Sequence, residues 1–355
     1  MGARVLVLEA GSAAGNNLIR SLKAGDASLH VVGCNECVFT LKKSTAERNY
    51  LLPDFSSGSL SALRRVIRAE RIDVVMPTTD AGVRDLSKLR EKLGCRSFLP
   101  RRSVINRCQD KYELTLFLRR HRIPAPKTYA IKDGGEVDEL FRHFGKVEEL
   151  WCRIRAGSGS NGAIPVKTAE QVRGWIAYWE RMRAVPPGSF TLSEYLPGRD
   201  LCVQCLWDRG TLVLAKMAER ISYLDTGSPS GVSSMPSLAK TVFDARAFRT
   251  CEKAIRALDV KASGVFFIDL KENRDGTPCI TEINAGRFAT MTNIHDLVGK
   301  HNMAVTFVRL ALGERVRIPR AADFAKGFYL VRSVDTLPEV VPEKDLFENL
   351  EDADA

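Results

Sequence analysis

Two carboxylates and an amide late in the chain have the spacing to hold a hard cation. Residues 262–285 form two apolar runs around Asn273-Arg-Asp-Gly-Thr277, and Asp-Gly favours a two-residue hairpin turn. With Asp275 and Gly276 as the turn residues, cross-strand partners have numbers summing to 551. That register sets Asp269 opposite Glu282 and puts Asn284 on the same face. Facing carboxylates repel each other, and burying them without compensation is costly. Phe266, Phe267, Ile268, Leu270, Ile280 and Ile283 predict a largely buried sheet, so a cation belongs between the acids. Two acids and an amide oxygen suit Mg²⁺. A solvated face with an Arg or Lys nearby is the alternative.

A second segment could meet phosphates. Leu150-Trp-Cys-Arg-Ile-Arg-Ala-Gly-Ser-Gly-Ser-Asn-Gly162 reads as a strand running into a small-residue loop. Such a loop offers backbone N–H groups with little steric hindrance. Arg153 and Arg155 alternate with Cys152 and Ile154, so both share a strand face. No Gly-Lys-Ser/Thr follows, which excludes a Walker loop. Further on, Glu194-Tyr-Leu-Pro-Gly-Arg-Asp200 ends a strand with an acid, an apolar pair and a turn. Free backbone groups there could pair with an adenine edge, and an acid could take ribose hydroxyls.

The elements that must position these residues alternate from the start of the chain. Strand patterns at 4–9, 29–33 and 72–77 are separated by helical patterns at 16–23, 60–70 and 83–93, which predicts a parallel sheet with helices on both faces. A helix over 110–121 precedes an extended Ile123-Pro-Ala-Pro segment. Helices are expected at 137–144, 169–182, 244–258 and 303–312, and strands at 150–155, 190–195, 201–207, 263–270 and 279–285. The Gly11-x-x-x-Gly15 turn lacks the third glycine and the strand-ending acid of a dinucleotide site, though it could present N–H groups to an anion.

Composition bounds the rest. The chain has 355 residues, 45% hydrophobic and 27% charged, enough for two or three packed units. No apolar run is long enough to span a membrane, the N-terminus has no signal-peptide layout, and a cytoplasmic protein is expected. The formal charge is +10. From 339 to 355 seven acids face Lys344 alone, so the remainder carries +16. The basic residues are scattered without a nucleic-acid motif, and an anionic small substrate explains them equally well. Two C-x-x-C pairs, Cys34/Cys37 and Cys202/Cys205, fall on or beside strands where residues three apart face opposite ways. Buried, inert thiols are expected rather than a zinc site.

The order of these parts resembles the ATP-grasp superfamily, closest to its carbamoyl-phosphate-synthase-like and carboxylate–amine ligase members. The resemblance runs from Arg4 to about Gly313. It implies an α/β (α+β) fold: a Rossmann-like pre-ATP-grasp domain (1–108), then ATP-grasp N-terminal (109–190) and C-terminal (191–318) subdomains. Residues 319–355 are left as an extension with an acidic tail. By the same resemblance Lys111 and Arg153 would contact ATP phosphates, and loop 157–162, with Ser158, Gly159 and Ser160, would close over them. Glu194, Tyr195 and Leu196 would mark the adenine-pairing hinge, and Asp200 would hold the ribose. Asp269, Glu282 and Asn284 match Mg²⁺ (or Mn²⁺) ligands, and Arg287 the arginine at the transferring phosphoryl group. Lys216 and Arg220, ahead of a Ser/Gly-rich second lid at 222–235, are candidates for phosphate or substrate contacts.

Two departures stand out. The usual Lys-Pro before the loop is Arg153-Ile154, and the usual Glu-x-Asn-Pro-Arg reads Glu282-Ile-Asn-Ala-Gly-Arg287, one residue longer. The implied activity is ADP-forming ligation of a small carboxylate to an amino-acid-like amine through an acyl phosphate. A phosphotransferase or carbamoyl-phosphate-synthase-like enzyme, or a non-catalytic ATP-binding subunit, is the alternative. No nucleic-acid or membrane partner is expected, and a homodimer is one expectation for the assembly.

Overall fold

The first apolar run forms β1 (Arg4–Leu8), and Ser12 then caps α1 (Ala13–Gly25) by accepting from the Gly15 N–H. The chain continues as β2 (His30–Asn35), α2 (Val38–Leu41), β3 (Arg48–Leu51), α3 (Ser59–Ala69), β4 (Val74–Met76), α4 (Asp80–Leu89) and α5 (Arg102–Gln109). The strands make a parallel sheet in the order β3-β2-β1-β4. In this computed structural model the described residues are 2–52, 59–157, 159–160, 162–224, 232–333 and 339–345. Ser158, residues 225–231 of the second expected lid, and residues 346–355 of the acidic tail lie outside them.

A second unit follows: α6 (Lys111–Arg120), β5 (Thr128–Ala130), α7 (Val137–Phe144), β6 (Leu150–Ile154), β7 (Ile164–Val166), α8 (Ala169–Arg183) and β8 (Phe190–Glu194). Its strands form an antiparallel sheet in the order β5-β8-β6-β7, backed by a small core of its own that includes Leu150, Val172 and Phe190. The third unit comprises β9 (Asp200–Asp208), β10 (Thr211–Tyr223), β11 (Pro236–Thr241), α9 (Ala245–Leu258), β12 (Gly264–Glu272), β13 (Pro278–Ala285), α10 (Thr292–Val298), α11 (Met303–Ala311), β14 (Phe328–Val331) and β15 (Glu339–Pro342). These strands form one sheet, β13-β12-β9-β10-β11-β14-β15, so the expected extension after 318 adds strands to the same sheet. Among the described residues no helix is long and apolar enough to cross a membrane.

The large sheet has two unlike faces. One carries Leu201, Val203, Phe266, Ile268 and Leu270 against Ala247, Cys251 and Ile255 of α9. Register puts Asp200, Cys202 and Gln204 of β9, Lys216 and Arg220 of β10, Asp269 of β12, and Glu282 and Asn284 of β13 on the other.

Three expectations need correction. Three N–H groups of the 11–15 turn serve the chain itself: Gly15 donates to Ser12 Oγ at 3.1 Å, Gly11 to Asn16 Oδ1 at 3.3 Å and Ser12 to the Glu9 carbonyl at 3.2 Å. A Cβ on Gly11 would overlap the Thr40 carbonyl, so the turn packs closely against the end of α2 there. Cys37 is exposed, because it precedes the short surface helix α2, whereas Cys34, Cys202 and Cys205 are buried. The first residues of the expected second lid, Ser222 and Tyr223, belong to β10.

Candidate active site

Register delivers the opposed acids, but not through the expected turn. The Asn273 N–H donates to the Thr277 carbonyl, the Gly276 N–H to the Asn273 carbonyl (both 3.0 Å), and Gly276 has φ +67°. The loop is therefore the three-residue 274–276 type with a left-handed glycine. Pairs nearest it sum to 550, as Leu270↔Ile280 does, and Thr281 is the extra residue of a bulge that restores Asp269↔Glu282. Thr281 offers its carbonyl to Arg153 Nη2 at 3.0 Å, so the bulge ties the small sheet to the large one.

Cations surround the acids. Arg220 Nη1 lies 2.8 Å from Asp269 Oδ1, while its Nη2 and Nε lie 2.6 and 2.8 Å from Asp200 Oδ1. Lys111 Nζ is 3.6 Å from Glu282 Oε1 and donates to the Gly157 carbonyl at 2.5 Å. Asn284 Nδ2 donates to Asp269 Oδ2 at 3.2 Å, and its Oδ1 accepts from Arg287. Arg287 also grips Asp80, in the first turn of α4, with both carboxylate oxygens at 2.6 and 3.2 Å. Burial and the facing Glu282 push the Asp269 carboxyl up, against the pull of Arg220. Arg287 is held above its ordinary value by Asp80, which outweighs its burial. Arg153 is pulled down by its burial, opposed by Glu282 and Asp269.

Between these groups lies a cavity of about 170 Å³, bordered by Asp80 and Arg84 of α4, Cys108 and Gln109 of α5, Lys111, Gly157, Glu282 and Asn284. It joins the N-terminal domain, Ala156 and Gly157 at the start of the small-residue loop, and the acidic hairpin at one place. Gly157, Gly159, Ser160 and Gly162 all have positive φ, and the Gly162 carbonyl accepts from the Trp175 indole at 3.0 Å.

Glu194 ends β8 and accepts from the Lys127 N–H at 3.2 Å. Tyr195 packs beside Trp151, and Leu196 is buried in the link between β8 and β9. Among the described residues neither the N–H nor the C=O of Leu196 has a backbone partner. Both oxygens of Asp200 are engaged, one by Arg220 and the other by the Tyr223 hydroxyl. Lys216 is on the same sheet face, but its ammonium is committed to Asp323 at 3.0 Å and the His295 carbonyl at 2.9 Å. Arg155, expected beside Arg153, turns instead to Asp110 at 2.7 Å, the cap of α6. Asp80, Tyr223 and Asp323 had no sequence signal: each is distant in the chain from the group it holds.

The extra residue before Arg287 now has a reason. Gly286 has φ +101°, donates to the Val265 carbonyl at 2.8 Å, and a Cβ there would lie 2.9 Å from Val83 Cγ1. It is the bend that aims Arg287 at Asp80. Gly286→Ala should lose about 1–3 kcal/mol by denaturant titration, with Arg287 displaced. A variant as stable as the parent would show that the bend tolerates a side chain.

No protein-family model matches the sequence, and no curated protein does. Solved structures match over most of the chain. The L-amino acid ligase of Bacillus licheniformis is 12% identical, with a TM-score of 0.68 over 93% of this chain and 79% of that one. The biotin carboxylase domain of Hydrogenobacter thermophilus 2-oxoglutarate carboxylase, solved with MgADP, ADP and bicarbonate, is 16% identical, with a TM-score of 0.70 over 93% and 74%. Carboxyaminoimidazole ribonucleotide synthase from Aspergillus clavatus, complexed with ATP, is 16% identical, with a TM-score of 0.67 over 93% and 81%. At such identities the likeness speaks for the fold. These neighbours are ATP-grasp enzymes, and the chain has the ATP-grasp fold with an N-terminal α/β domain.

Proposed function

We propose that the chain is an ATP-dependent, ADP-forming carboxylate–amine ligase, with Asp269, Glu282 and Asn284 as the ligands of a magnesium or manganese ion. One observation carries the reading. Two opposed, largely enclosed carboxylates and an amide share a sheet face beside a cavity, and Lys111, Arg153, Arg220 and Arg287 converge on them. Two carboxylates and an amide on one sheet face are the donor types that a divalent cation takes. When bound, the ion would neutralise charge on the β- and γ-phosphates.

The chain's own groups have the remaining work. Lys111 exchanges its hold on the Gly157 carbonyl for a phosphate oxygen, and Arg153 adds charge from the small sheet. The free backbone groups of Leu196 pair with the adenine edge, beside Glu194 and Tyr195, and Asp200 holds the ribose with its remaining lone pairs. Arg287, fixed by Asp80 and Asn284, stabilises charge as the γ-phosphoryl group passes to the substrate carboxylate. An amine then attacks the acyl carbon, the C–O bond to phosphate breaks, and an amide, ADP and phosphate result. The likeness to an L-amino acid ligase supports an amino-acid-like amine. The likeness to enzymes solved with MgADP and with ATP supports the nucleotide.

ADP release screened against amino acids and small carboxylates, with the product weighed, tests the reading. A product lighter than its two precursors by one water is expected. A product heavier than one precursor by a phosphate would replace the ligase with a phosphotransferase.

A further inference from the structure

After β13 the chain crosses the site face of the large sheet. Ala289 donates to Gln204 Oε1 of β9 at 3.1 Å, and the Thr290 carbonyl then accepts from two sides. Asn17 of α1 reaches it at 2.6 Å and Nη2 of Arg332 at 3.1 Å. Arg332 directly follows β14, where Leu330 pairs with Ala239 and Ala239 with Arg220, so register puts Arg332 on the face of Arg220 and Asp269.

Arg332 is only 7% exposed, its Nη1 is buried without a partner, and among the described residues it forms no ion pair. Arg220 and Arg287, similarly enclosed, each hold carboxylates that raise their pKa, whereas burial acts on Arg332 alone and lowers it. A guanidinium cannot shed its proton in water near neutrality. The fold therefore encloses a positive charge that nothing described balances, a costly arrangement unless an anion arrives.

The surroundings are short of partners too. Gln204 Nε2, both amide atoms of Asn293, His295 Nε2 and Arg332 Nη1 make five of the ten buried side-chain atoms that lack one among the described residues. All belong to the crossover, to the strand beneath it, or to the arginine that grips it. Folded proteins leave few such atoms, and an absent polar occupant is an ordinary reason for them.

We propose that Arg332 anchors a non-reacting carboxylate of the amino-acid-like substrate and so selects substrates that carry one. The proposal rests on the ligase reading of the same sheet face. The lone positive charge matches a monoanion, while the other arginines near it already have acids. Position excludes the reacting group: Arg332 rises from the strand two places beyond that of Arg220, about 10 Å away by strand spacing, with Asp269 farther still. That suits the far end of an extended substrate.

Thermal melts of the full chain test this, using wild type, Arg332→Met and Arg332→Lys. Each is titrated at fixed ionic strength with sodium acetate, L-alanine, L-alaninamide or sodium chloride, with and without MgADP. In chloride alone Arg332→Met should melt about 2 °C or more above wild type, because it removes an uncompensated buried charge. Acetate and L-alanine should raise the wild-type Tm, alaninamide should not, the Met variant should respond to none, and the Lys variant should respond in part. MgADP should stabilise all three alike. A Met variant that melts below wild type, or a wild type blind to carboxylates, overturns the anchor and makes Arg332 a structural residue. If instead carboxylates stabilise wild type and MgADP does not, the nucleotide reading fails while the anion site stands.

Discussion

Glu282→Ala should lower ADP formation at least about 10³-fold while leaving the fold as stable as before. The expected split between activity and stability follows from the position of the side chain. Glu282 faces Asp269 across the hairpin, and among the described residues its one ion pair is the long 3.6 Å contact with Lys111, with Arg153 and Arg287 acting on it from farther off. Removing it relieves repulsion between like charges, and buried Lys111 keeps its bond to the Gly157 carbonyl, so the Tm should stay level or rise. The same change takes away one of the two carboxylates proposed to hold the metal, and the Mg-nucleotide loses its seat. Steady-state ADP release with an active acid and amine, read beside a thermal melt, gives both numbers. Activity within tenfold of the parent would mean that the nucleotide's metal is held elsewhere.

The acidic pair was legible because a strand's period of two converts a guess about register into a statement about which side chains meet. The register nevertheless arose from two compensating departures. The loop is one residue longer than expected, and the bulge at Thr281 absorbs the difference. Apolar neighbours gave no hint of that bulge, since both faces of the hairpin are largely buried. Strand β10 was invisible for a related reason. Its centre, Leu214 to Ala218, is buried on both faces and built from Ala, Lys and Met, so neither alternation nor β-branched residues mark it. Lys216 reads as a solvated or phosphate-facing lysine, yet 107 residues later Asp323 supplies its partner.

Long-range pairing sets the limit elsewhere too. Arg287 was identifiable from its place after Asn284, but its partner Asp80 lies 207 residues earlier, in the first turn of α4. Nothing local in Thr79-Asp80 beyond a helix cap foretells that contact. Gly286 was legible as a departure and not as a cause, because its φ of +101° and its closeness to Val83 exist only once the domains meet. Arg332 carried no signal at all, since an arginine after a short edge-side strand reads as surface.

Arg220 is where pairing and pH meet, and Arg220→Met should be the most destabilising single change on the site face. The guanidinium bridges Asp200 and Asp269 with contacts of 2.6 to 2.8 Å, and all three side chains are largely enclosed. A methionine fills the space but leaves two carboxylates without their counter-ion, held only by the Tyr223 hydroxyl and the Asn284 amide, and a third, Glu282, facing them. Breaking a buried pair from one side costs about 3–5 kcal/mol. The loss should depend on pH with a definite sign. Burial and Glu282 already hold the Asp269 carboxyl above its ordinary value while Arg220 pulls it down. Without the arginine it rises further. A carboxyl raised on folding contributes stability that is fully present below its unfolded pKa and is lost as pH climbs through the folded one. The variant should therefore be close to wild type near pH 4 and fall progressively behind it toward pH 7. Urea titrations across that range measure the slope, and a flat difference would mean that Arg220 is not the counter-ion. Mg²⁺ adds an independent readout: if Asp269 and Glu282 hold the metal, the ion should restore more stability to the variant at pH 7 than it adds to wild type. Equal shifts in both would separate the arginine's role from the metal's.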